Sequence, residues 1–171
     1  MRKNPDTILA LDPGLRELGY AVLHGRRLVT SGVLGLRRVP KEERLATARK
    51  HVRSWLRTHR PDVVVVEKTY RHPVPWLDQL HQLSRSARNL ATRQRAAFAT
   101  YSPQRVRQTV AGNGRAKKPE VAIAVAHRYP SLRVYLTQDR RWKERYWQNM
   151  FDAIALALHH QSATNPPSRG R

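Results

Sequence analysis

The hydrophobic rhythm of the chain changes repeatedly, and each change marks an element. "TILALD" (7–12) is a nearly unbroken apolar run closed by an acid, and it reads as a buried strand. "PGLREL" turns the chain, and "GYAVLHG" reads as a second strand. Gly25 and the following basic pair make a hairpin turn into a third strand, "RLVTSGVLGL". Tight turns between three strands predict an antiparallel meander. The period then shifts. Leu45, Ala48, Val52, Trp55 and Leu56 recur at helical spacing within residues 41–59. "RPDVVVVEKTY" follows, and its four consecutive valines are apolar on both faces, as in a central strand covered by helices on each side. A helix before that strand predicts a right-handed crossover to a parallel neighbour.

The second half alternates in the same way. A longer helix is predicted over 77–97 and a short strand at "FATYSP". Ser102 then supplies an N-cap, with Pro103 in the first helical position. "GNGRAKKP" is a basic turn, and helices over 119–129 and about 144–160 complete the set. The sum is an α/β chain in three layers: a mixed five-stranded sheet with helices on both faces. No repeat or linker divides it, so one domain is expected over 1–160. A polar, Pro-containing basic tail over 161–171 is expected to be disordered.

Composition narrows the setting. The length of 171 residues suits one domain with a real core. No apolar run approaches the ~18 residues of a membrane span, and the one near the N-terminus is too short for a signal peptide. The absence of cysteine removes disulfides and thiolate zinc sites and fits a cytoplasmic protein. Charge adds more. Lys and Arg number 33 against 12 acids, a formal +21. A fold does not need this, whereas a polyanion explains it, and nucleic acid is the usual one. An anionic membrane, a heparin-like partner or ribosomal RNA is the alternative. The excess is spread along the chain, as on a folded surface that tracks a backbone.

Acids are scarce enough for their positions to be informative. Asp12 ends the first strand, Glu67 ends the valine strand, and Asp152 interrupts the apolar run "FDAIALAL" of the last helix. Strand ends in α/β folds are where sites collect. Each acid also has a structural alternative: Asp12 can shape the Pro-Gly turn, Glu67 can pair with an arginine, and Asp152 can sit in a buried Asp–Arg bridge. Taken together, three carboxylates repel one another unless a hard divalent cation neutralises them. In a cationic protein that combination points to phosphodiester chemistry, with two ions ~3.5–4 Å apart activating water and stabilising the leaving oxygen. Other motifs are lacking. "GNG" has no Gly-Lys-Ser/Thr to make a P-loop, His159 and His160 lack zinc-ligand spacing, and no nucleophile motif accompanies a Ser-His-Asp set.

These segments resemble a known family in order. "ILALDPGLRELGYAVL", "VVVVEKTY", "SPQRVRQTVAGNGRAKKPEV" and "DAIALALHH" are similar to the signature segments of the RuvC-type Holliday junction resolvases, spanning about residues 7–160. The resemblance implies an RNase H-like fold and a homodimer with two active sites. It also implies symmetric paired nicking of four-way DNA junctions with Mg2+ or Mn2+, and raises a branch-migration motor complex as a further partner. It makes Asp12, Glu67 and Asp152 metal ligands, and Tyr70 an aromatic that stacks on bases at the opened crossover. Arg107 and Lys118 are implied to hold the junction backbone, with Arg115 and Lys117 in the same basic segment. One departure stands out: the family usually has a fourth ligand one turn before the last Asp, where this chain has Asn149. An amide carbonyl can coordinate Mg2+ but is neutral and cannot act as a base. Three other readings follow: a junction-binding protein with impaired catalysis, another RNase H-like nuclease acting on branched DNA or hybrids, and a ribosome-associated RNA-binding protein.

Overall fold

A computed structural model describes residues 6–14, 16–68, 75–136 and 141–164, with the side chains of 75–77 and 141–145 left aside. Five strands form one sheet: β1 (Thr7–Pro13), β2 (Glu17–His24), β3 (Arg27–Gly35), β4 (Val63–Glu67) and β5 (Ala97–Tyr101). Their order is β3-β2-β1-β4-β5. The first three strands pair antiparallel, β4 is parallel to β1, and β5 is parallel to β4. Meander, parallel crossover and mixed sheet therefore stand as the sequence predicted. Gly25 makes the β2–β3 turn with φ of 54°, a left-handed conformation that glycine adopts without a Cβ penalty.

Five α-helices cover the sheet: α1 (Arg44–His59), α2 (Pro75–Arg93), α3 (Pro103–Ala111), α4 (Lys118–Arg128) and α5 (Arg141–Thr164). Two boundaries differ from the expected ones. The helix predicted over 77–97 runs from Pro75 to Arg93, because Arg95 turns left-handed (φ 60°) and the chain enters β5 at Ala97. The last helix continues to Thr164, so the first four residues of the expected tail are helical, while 165–171 lie outside the described residues. Ser102 caps α3 by accepting from the Arg105 N–H at 3.4 Å, with Pro103 first in the helix. Among the described residues no helix is long and apolar enough to cross a membrane.

Strand parity divides the core in two. Successive side chains of a strand point to opposite faces. Ile8 and Ala10 of β1, with Val63 and Val65 of β4, pack under α3, α4 and α5. Leu9 and Leu11, with Val64 and Val66, pack under α1 and α2. All eight are 5% exposed or less, and burying each larger aliphatic side chain is worth roughly 1.5–3 kcal/mol.

Candidate active site

The same parity sets the site. Asp12 continues the series Ile8, Ala10, and Glu67 continues Val63, Val65, so both carboxylates face the α3–α5 layer. In the parallel β1–β4 register Leu11 lies opposite Val66, and one further step along each strand brings Asp12 beside Glu67. The third acid arrives on α5. Asp12 is paired across β1–β2 with Gly19, and α5 rests directly on that glycine. A Cβ on Gly19 would stand 1.9 Å from the Asn149 carbonyl oxygen, so only a bare Cα lets the helix approach this closely. One turn further along α5 comes Asp152.

The three acids feel one another. Burial pushes the Asp12 carboxyl well above the usual carboxylate range, and the charges of Asp152 and Glu67 push it further, against the pull of Lys118. Burial, then Asp152, lifts Glu67 to about 7, with Lys118 and Arg107 opposing. Asp12 is the most buried of the three. Asp152 looks into a cavity, while Phe151 and Ala153 beside it are buried. Both of its oxygens have partners. Lys118 Nζ donates to Oδ2 at 3.0 Å, and Gln148 Nε2 donates to Oδ1 at 2.9 Å. Gln148 also reaches the Lys118 carbonyl oxygen at 3.3 Å, which ties α4 to α5. Desolvation disfavours the Lys118 ammonium, but the attraction and hydrogen bond of Asp152 and the charges of Asp12 and Glu67 outweigh it and raise its pKa.

The cavity is lined by Glu67, Arg107, Lys118, Asp152 and apolar side chains of α3 to α5. It therefore places two of the expected DNA-contacting cations, Arg107 and Lys118, at the carboxylates themselves. Arg115 and Lys117 are exposed on the connection between α3 and α4. The Arg115 N–H is held by Asn113 Oδ1 at 2.9 Å, and the Lys117 N–H by the Glu120 carboxylate at 2.6 Å. Asn149 is half-buried, and its Nδ2 lies 3.5 Å from where a Cβ of Gly14 would stand, just past Asp12. The amide that bonds Asp152 is Gln148, one residue earlier. Tyr70 lies outside the described residues.

Hard carboxylate oxygens that raise one another's pKa have the chemistry of a divalent cation site. Among the described residues no three His, Asp or Glu side chains stand as a ready-made ligand set. The Lys118 ammonium occupies one oxygen of Asp152 with a positive charge of its own. The donor set fits a hard cation, provided Lys118 yields that oxygen.

Sequence reasoning missed two residues. Gln148 shares a helix face with Asp152 at i, i+4, and Gly19 is a glycine inside a strand, but neither spacing alone marks a site. Beyond them, a part-buried polar group joins β5, α3 and α5. Tyr101 Oη lies 2.9 Å from His160 Nδ1, and Thr109 Oγ1 lies 2.7 Å from His159 Nδ1. The two histidines that had no zinc spacing are thus hydrogen-bonded members of the core.

Comparison with known proteins now adds to this geometry. Residues 8–160 match the family model of crossover junction endodeoxyribonuclease RuvC. A crossover junction endodeoxyribonuclease RuvC of Nocardioides sp. is 34% identical over 160 residues, covering 90% of this chain and 85% of that protein. A solved Thermus thermophilus RuvC in complex with Holliday junction substrate is similar with a TM-score of 0.74 at 25% identity, covering 93% of this chain and 94% of that one. The yeast mitochondrial Holliday junction resolvase Ydc2 shares the fold, with a TM-score of 0.66 at 14% identity, covering 92% and 80%.

Proposed function

The chain belongs to the RuvC family of crossover junction endodeoxyribonucleases, and we propose that it resolves four-way DNA junctions by paired, divalent-metal-dependent hydrolysis of phosphodiesters in opposing strands, in recombination and repair. The observation that carries the reading is that Glu67 and Asp152 line one cavity with Arg107 and Lys118, while the buried Asp12 lies close enough to feel the charges of both acids. Three acids gathered in a chain of net +21 have a purpose when the cations hold a phosphodiester and the carboxylates hold a metal.

On this reading Asp12, Glu67 and Asp152 hold Mg2+ or Mn2+, with the neutral Asn149 flanking the end of β1 as the fourth position. When bound, the ion supplies an activated water and stabilises the leaving 3′-oxygen. The chain's own groups do the rest. Gln148 fixes the rotation of the Asp152 carboxylate from one side. Lys118 pairs with Asp152 at rest, and turns to a substrate phosphate once that carboxylate is otherwise neutralised. Arg107 offers a guanidinium to the backbone at the cavity. Arg115 and Lys117 extend the cationic surface along the α3–α4 connection, and Tyr70 stacks on opened bases. Paired cutting needs two sites, one per protomer of a homodimer, which sedimentation at working concentration tests. The cytoplasm is the proposed setting, with a branch-migration motor as a further partner.

The test is a synthetic mobile four-way junction incubated with Mg2+ and then with Mn2+, with products mapped on all four strands. Symmetric nicks in two opposing strands are expected, with weaker cutting of a flap or an RNA–DNA hybrid. Preferential cutting of the hybrid, or unpaired nicks, overturns the reading. The presence of Asn149 favours one second reading, a junction binder with impaired catalysis. Asn149→Asp separates the two: a large gain from almost no activity supports impairment, and little change supports a working native site.

A further inference from the structure

The layer on the other side of the sheet has a charge pattern that the catalytic reading does not use. Between Arg44 and Arg60 the chain has six Lys or Arg and no acid. Helix α1 buries Ala48, Val52 and Leu56 against the sheet. Its outward face carries Arg49, Lys50, Arg53 and Arg57, all exposed, and Arg60 continues past the C-cap. Arg49, Arg53 and Arg57 follow one another at i, i+4, so they form a single row along the helix. Like charges at that spacing weaken a helix. No acid of α1 offsets this, and neither of the described ion pairs, Arg37–Glu17 and Lys118–Asp152, involves the helix. The neighbouring α2 extends the surface, since Arg85 and Arg88 are exposed on it and Arg49 Nε donates to Ser86 Oγ at 2.7 Å across the two helices. After Asp78 the chain has no further acid until Glu120.

A row of cations that the helix does not need, with no ion pair to an acid among the described residues, fits a polyanion lying along it. We propose that the α1 row, Arg49, Arg53, Arg57 and Arg60, is a second binding surface for duplex DNA, separate from the strand at the carboxylates. The two surfaces lie on opposite faces of the sheet. Asp12 and Glu67 point into the α3–α5 layer, whereas α1 covers the face of Leu9, Leu11, Val64 and Val66. A phosphodiester at the carboxylates therefore does not also lie along α1, and the row takes a more distant stretch of a junction arm or a neighbouring duplex. The inference deepens the junction-cutting reading and rests on it for the identity of the polyanion.

The test uses the full chain with Arg49→Gln, Arg53→Gln and Arg57→Gln combined, and a charge-matched control with Arg26→Gln, Arg27→Gln and Arg133→Gln. Glutamine keeps helix propensity close to that of arginine. Binding is measured against salt on a plain linear duplex, on a long-armed junction, and on a junction whose arms are about one helical turn (~10 bp). Removing three phosphate contacts is expected to lower the salt slope on long DNA by about 2.7. On the short-armed junction, affinity and cutting rate at saturation should stay unchanged. The control should move neither. An equal loss with the control, an equal loss on short and long arms, or no change in slope overturns the proposal. So does loss of binding to phosphatidylserine vesicles while the DNA slope is kept, since that assigns the row to a membrane. Failure of the wild type to cut junctions counts against the functional reading alone, because the slope on linear duplex still decides the role of the row.

Discussion

The two faces of the sheet are built from the same strands and do opposite things. On the face of α1 and α2 the side chains of β1 and β4 are apolar through Leu11 and Val66, and the cations lie on the outer surface of the helices. On the face of α3 to α5 the apolar series of β1 and β4 each end in a carboxylate, and the largely exposed Lys118 reaches over to pair with the third acid, Asp152. A shift of one residue in either strand would exchange the faces and send its acid to the other layer. Site formation is therefore a matter of register and parity more than of acid content. A sheet face that ends in charge must hold partners for it, while a face that ends in leucine leaves its helices free to carry charge outward.

Breaking the acidic face should have the largest effect. Asp12→Asn keeps the shape of the buried side chain and removes its charge. Cutting of a four-way junction is expected to fall by on the order of 10³-fold or more, with junction binding retained. Gly19→Ala tests how the third acid is delivered. Its Cβ would collide with the Asn149 carbonyl, so α5 must shift. A loss of about 1–3 kcal/mol is expected, and melting should fall by ~2–4 °C per kcal/mol, together with a large loss of cutting. Gln148→Leu removes one hydrogen bond from Asp152 and keeps the helix. Cutting or metal affinity should drop by roughly 10–100-fold, while Gln148→Glu should change the metal dependence without unfolding the chain.

Protonation gives a smaller and more diagnostic effect. The carboxyls of Asp12 and Glu67 have raised folded pKa values, so the folded state holds protons that the unfolded state has already released. For Glu67 the stabilising proton is fully present below the unfolded value of 4.5 and is lost as pH rises to about 7. The metal-free protein should accordingly lose the Glu67 contribution between those limits, and the Asp12 contribution falls in the same direction as pH rises. Asp12→Asn should melt higher than the wild type at pH 8, with the difference shrinking toward pH 5. A wild type that gains stability over that interval by as much as the variant would contradict the assignment.

Much of this was legible in the chain. The meander, the crossover, the N-cap at Ser102 and the three acids all follow from local pattern, because turn chemistry and period are local properties. What the sequence could not supply was parity. The valine run of β4 is apolar on both faces, so nothing in "VVVVE" says which layer Glu67 enters; that depends on its register with β1. Asp152 was legible as an acid among apolar neighbours, but its partners were not. Lys118 lies 34 residues away, and Gln148 sits among polar residues at the start of α5, where a glutamine draws no notice. Gly19 reads as a strand interruption until the helix above it is known.

The central claim is that Asp12, Glu67 and Asp152 act as one cation site, and calorimetric titration of Mn2+ into the metal-free protein at pH 8 tests it most directly. The wild type should give a saturable binding isotherm that is abolished or greatly weakened in each of Asp12→Asn, Glu67→Gln and Asp152→Asn. An isotherm that survives unchanged in any one of the three would contradict it.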